Sequence, residues 1–194
     1  LCSAERPEMP IRLLGDMLRE TVKEVGLPHR IIIGFGAGGA FCEHSLETWV
    51  VRPKHDRVHL SSEDLGMYFQ GAFEQHRRRD CMVVACQAGI SVNGYFADSS
   101  YAFRKRQHVH EIAFHTVTAS FPSAVSYEFL RLKESFPALV FDCVPLPVAY
   151  CRALSGVLKG KELFVIDIAC DRTSLFVVRE YAIGAFSSFA HSDA

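Results

Sequence analysis

The residues best placed to do chemistry lie in one stretch, KELFVIDIACDRTSLFVVRE, residues 161–180. Two apolar runs flank a short polar turn. Asp167 stands inside the first run, and Thr173 and Ser174 open the second. A carboxylate in an apolar strand is costly unless it finds a partner, a cation or a changed protonation state. It can cap its own turn, which is a purely structural role. It can also serve a phosphate-and-magnesium hairpin, in which the turn's N–H groups and hydroxyls face phosphate oxygens. The carboxylate then reaches the cation through water, because Mg²⁺ keeps several of its waters. Asp167, Thr173 and Ser174 are the candidate residues for that chemistry.

Other constellations are weaker. Gly34, Gly36 and Gly39 fit G-x-G-x-x-G in GFGAGG, but that fingerprint must open a helix. The following AFCEHSLETWVV lacks a helical stripe and reads as a flexible exit running into a strand. His55 and His59 lie in a polar connection with no helix face to align them. His108 and His110 could share a strand face, but no Cys or carboxylate completes a four-ligand set, so no metal site is expected. No P-loop, H-E-x-x-H or G-x-S-x-G is present, and no particular Cys–His pair is marked for catalysis. No catalytic residue is assigned.

The chain has 194 residues, 49% hydrophobic and 22% charged, with 15 Phe. That is enough apolar surface for a packed core and argues against disorder. A net charge of −1 speaks against a dedicated nucleic-acid domain. The basic clusters His76–Arg79 and Arg104–Arg106 read as a solvated helix end and a loop. Seven cysteines, an odd number without a C-x-x-C pair, read as buried reduced thiols in a cytoplasmic protein. No apolar run reaches the ~20 residues of a membrane span, and no signal pattern opens the chain.

The elements that must position the hairpin alternate. Residues 10–25 place Ile11, Leu14, Leu18, Val22 and Val25 on one helical stripe between Pro10 and Gly26. RIIIGF is a buried strand. LETWVVRP is a strand that Pro53 ends. Ser61 and Asp64 form a capping box before a helix with Leu65, Phe69, Ala72 and Phe73 on one face. CMVVACQAGISVNGYF is a strand with a hairpin turn at Asn93-Gly94, and HEIAFHTVTAS is another. SAVSYEFLRLKESF is a helix carrying Val125, Phe129, Leu132 and Phe136. ALVFDCV is a strand, and PLPVAYCRALSG a helix opened by Pro147. ELFVIDIA, TSLFVVRE and AIGAFSSFA complete the chain as strands. An α/β domain of residues 1–40 and 121–194, interrupted by a small α+β strand–helix–strand–strand insert at 41–120, is the expected organisation.

FVIDIACDRTSLFVV resembles the second phosphate-binding hairpin of the actin-like ATPase superfamily, a pattern of apolar-apolar-D-I/L-G-G-G-T-T/S-apolar. Asp167, Ile168, Thr173 and Ser174 match its aspartate, aliphatic and hydroxyl positions. VPLPVAYCRAL is similar to the proline-led helix before that hairpin. The inserted unit narrows the resemblance to the FtsA-like branch, with its PilM-type relatives. It implies an actin-like, ribonuclease-H-like fold, with ATP and Mg²⁺ bound only in a complete protein. Asp167 would lie near the cation, with Thr173 and Ser174 near the phosphates. It further implies a cytoplasmic, self-assembling scaffold at the inner face of the membrane, which in the division branch links FtsZ filaments to that membrane at the septum. Membrane contact would come only through segments outside this sequence.

The pattern is also broken. Ala169, Cys170 and Asp171 stand where the family has glycines. They crowd a phosphate and add a repelling charge, so at most a weak or degenerate ATPase is expected. The first phosphate strand and the adenosine motif are absent, which fits a chain corresponding to the first half of such a protein. The rival reading is a PilM-like pilus or secretion platform component that binds a short peptide from an inner-membrane partner without using nucleotide.

Overall fold

The computed structural model describes residues 8–36, 42–54, 60–76, 82–97, 108–158, 162–169, 172–179 and 182–191. Helix α1 spans Met9–Val25, with Pro10 in its first turn and Gly26 closing it at φ 85°. Ile11 is buried, whereas Val25, at the end of the predicted stripe, is exposed. Strand β1 is Arg30–Phe35 and β2 is Glu43–Val51. Helix α2 covers Ser62–His76, followed by β3 (Met82–Val92), β4 (Tyr95–Ala97) and β5 (Ile112–Phe121). Then come α3 (Ser123–Ser135), β6 (Val140–Pro145) and α4 (Leu146–Leu158). The described chain ends in β7 (Glu162–Ile168), β8 (Arg172–Arg179) and β9 (Ala182–Ala190).

The described residues form three sheets. Strands β1 and β6 pair in parallel, with Arg30 opposite Val140 and an Arg30–Asp142 ion pair at the strand starts. Strands β2-β5-β3-β4 form an antiparallel sheet and β7-β8-β9 a second one. The Asn93-Gly94 turn joins β3 to β4 with both residues at positive φ, 50° and 83°, as a primed hairpin turn requires. Gly34 has a different reason to be glycine. A Cβ there would stand 2.8 Å from Leu146 Cδ2, so β1 could approach the start of α4 this closely only without a side chain.

The four-stranded sheet is built into the core. One face packs under α2, where Trp49, Phe114 and Ile90 meet Leu65, Phe69 and Ala72. Its opposite face joins two further clusters. Cys42, Ala119 and Phe121 pack with Ile11, Phe35, Phe129 and Leu132. Ala88 and Val117 pack with Val148, Cys151, Phe176, Val178 and Ile183. Strand β5, central and covered on both sides, is therefore buried along nearly its whole length.

Candidate functional site at the terminal hairpin

Strands β7 and β8 pair so that Asp167 faces Ser174 and Ile168 faces Thr173, and β9 adds Ser188 beside Ser174 and Phe189 beside Thr173. Directly paired residues share a sheet face. The inner face, packed on α4 and the four-stranded sheet, therefore carries Leu163, Val165 and Asp167 with Arg172, Ser174, Phe176 and Val178. The outer face carries Phe164, Ile166, Ile168, Thr173, Leu175 and Phe189. The Ala169 N–H donates to Arg172 O at 2.9 Å and closes the turn.

This placement corrects one expectation. Asp167 is half-buried, and β7 is an edge strand whose alternate apolar side chains, Phe164, Ile166 and Ile168, lie open. The apolar run suggested a buried Asp167, but only one side of the strand is covered. Asp167 and Ser174 do come together. Thr173 does not: it points to the opposite face, where its hydroxyl meets His191 Nε2 at 2.8 Å. Ser174 is buried, 4% exposed, and its Oγ lies 3.3 Å from Ser188 Oγ. With one hydroxyl turned outward and the other paired inward, the two do not converge on one phosphate. The side chains present thus fit a phosphate–magnesium group only in part, through Asp167. The turn residues Cys170 and Asp171 lie outside the described residues.

Two residues that sequence reasoning passed over stand beside the hairpin. Arg172 belongs to the inner face, and its Nε is buried without a hydrogen-bond partner. His44, on β2, lies against Phe186 of β9 at 6.3 Å between ring centroids, with both ring nitrogens buried and unpartnered. Burial, reinforced by the Arg172 charge, holds His44 down at about 4. Cys42, just before β2, is pushed up to about 12, chiefly by burial. A nucleophilic thiol needs a lowered value and a basic imidazole, so this cysteine–histidine pair is tuned in the wrong direction. Cys143 is pushed up to about 11, again mainly by burial. No local motif marks His44, because its neighbourhood is made by β9, more than a hundred residues away.

The remaining sequence candidates are dispersed. The glycine stretch is described only as far as Gly36, and His55 and His59 lie outside the described residues, as do Arg77–Arg79 and Arg104–Arg106. His108 and His110 are exposed. Among the described residues no group of three or more His, Cys, Asp or Glu could hold a metal ion. No described helix is long and apolar enough to cross a membrane.

The parallel β1–β6 pair, the proline-led α4, the antiparallel hairpin sheet and the four-stranded sheet make up an actin-like α/β fold. A chain of the PilM–PilN type IV pilus biogenesis complex superimposes on 96% of this chain with a TM-score of 0.53 at 12% sequence identity. This chain spans 49% of that one. A Bacteroides thetaiotaomicron protein with actin-like ATPase fold and unknown function aligns over 93% of this chain and 56% of its own, at 12% identity and a TM-score of 0.40. No family model matches the sequence, and no curated protein matches it. The likeness is one of fold.

Proposed function

We propose that this chain is part of an actin-like scaffold of the PilM kind, which works by holding a segment of a partner protein at the inner face of the membrane. The observation that carries this reading is the fold shared over 96% of the chain with a protein of the PilM–PilN complex. The hairpin supports a role that does not depend on nucleotide. Its hydroxyls diverge to opposite faces, and Ala169, Cys170 and Asp171 occupy the places of phosphate-approaching glycines. A side chain at such a place keeps a phosphate away from the backbone. The division role, with FtsZ as partner and ATP-dependent assembly, rests on the sequence resemblance of the hairpin and the inserted unit.

The test uses the full-length parent protein and two titrants, Mg-ATP and the cytoplasmic segment of a pilus inner-membrane protein from the same organism. The segment is expected to bind equally well with and without Mg-ATP, and equally well to Asp167→Ala. The opposite result is binding that requires Mg-ATP and weakens tenfold or more in Asp167→Ala, about 1.4 kcal/mol. That outcome would restore the nucleotide-dependent, FtsA-like reading.

A further inference from the structure

Native structures seldom leave buried polar atoms unpaired; water or an ion usually meets them. Three such atoms gather where β2 passes the terminal sheet: Arg172 Nε and both ring nitrogens of His44. The register explains why they are neighbours. On the inner face, Ser174 and Ser188 make one row, and Arg172 with Ala190 makes the next. His44 stands over Phe186, two residues before Ser188. Arg172 makes no ion pair among the described residues, not even with Asp167 on its own face. An unsatisfied buried donor costs about 1–3 kcal/mol, and a charged one costs more.

We infer that this place is a binding site for a phosphate-sized oxyanion, with Arg172 as the fixed charge and His44 and Ser188 as neutral donors. Arginine suits the task, because it is always charged and its fork matches two oxygens at once. Cys42 faces the same guanidinium but remains a neutral thiol, so no thiolate competes for it. Asp167 and Glu43 are the nearby carboxylates. Arg172 itself supplies the positive charge that meets the anion, so binding here needs no Mg²⁺. The site involves neither Thr173 nor a partner protein, and it stands or falls separately from the function proposed above.

Histidine-selective NMR on the full-length protein, in EDTA and without phosphate buffer, tests this with inorganic phosphate and, separately, ATP. In the free protein His44 titrates near 4. Phosphate is expected to shift the His44 ring signals saturably. It should also raise the titration midpoint, because an anion offsets the repulsion from Arg172. Arg172→Gln should weaken the response tenfold or more, Arg172→Lys should retain part of it, and His44→Gln should weaken binding several-fold. If ATP acts at lower concentration than phosphate, a nucleotide's terminal phosphate is the ligand; if phosphate alone acts, the ligand is the free ion. The inference is overturned if neither anion gives a saturable shift through millimolar concentrations. It is equally overturned if Arg172→Gln responds like the wild type; the orphaned atoms are then satisfied by water. Should Arg172→Gln fail to fold, Arg172→Lys and His44→Gln decide the matter by the same titration.

Discussion

At the residue scale, His44 makes the protein sensitive to acid. In the unfolded chain its imidazole takes up a proton near 6.5, whereas in the fold it stays neutral down to about 4. Between those values the unfolded state binds more protons, so stability is fully present above pH 6.5 and is lost as pH falls toward 4. The gap corresponds to at most about 3 kcal/mol. Urea unfolding between pH 7 and 4, in phosphate-free buffer, should show this slope in the wild type and a flatter one in His44→Gln. Equal slopes in both proteins would assign the acid sensitivity to other groups. Asp167 was legible in the sequence as an unusual carboxylate, and its pairing with Ser174 follows from the hairpin register. The importance of Arg172 was not legible: an arginine in a polar turn reads as solvated until β2 is seen to pass over it.

At the element scale, local signals were read well and long-range ones were not. The capping box is present as the pattern Ser61-x-x-Asp64 implied. Ser61 Oγ accepts from the Asp64 N–H at 3.1 Å, and Asp64 Oδ2 accepts from the Ser61 N–H at 3.0 Å. The helix it starts is held to the four-stranded sheet, because Phe69 stacks on Trp49 and meets Phe114 edge-on, each at 5.6 Å. Ser61→Ala should therefore cost about 1 kcal/mol of stability. Asp64→Ala should cost a similar amount, and the double variant less than the sum, because the two side chains form one reciprocal unit. Strict additivity in denaturant titrations would contradict the box. Asn93-Gly94 and the helical stripes were equally plain, since each depends on residues within a few positions. The pairing of β1 with β6 bridges more than a hundred residues. Neither strand carries a local mark of its partner. Nor did β5 announce that it is covered on both faces: HEIAFHTVTAS contains His115, Thr116 and Thr118, which dilute its apolar character, yet Thr116 and Thr118 are buried.

At the scale of the whole molecule, the three packed clusters leave a large apolar surface open among the described residues. On the outer face of the terminal sheet Phe164, Ile166, Ile168 and Phe189 are 71%, 62%, 75% and 61% exposed. Half-buried Leu175 and Val177 lie between them. Contiguous apolar patches of this kind drive association, and β7 adds an edge strand of high β-propensity. Among the described residues, the ion pair on this face lies at one end, where Arg179 Nε pairs with Glu162 at 2.8 Å. The 194-residue chain should therefore self-associate as its concentration rises. Ile166→Lys or Phe164→Lys should lower the mass seen by light scattering at a given concentration. Both side chains point away from Phe176, Val178 and Ile183 on the inner face, so the thermal midpoint should barely move. If the lysine variants associate as strongly as the wild type, the contact lies elsewhere on the surface. If they lose their thermal midpoint, the outer face is already covered by part of this chain.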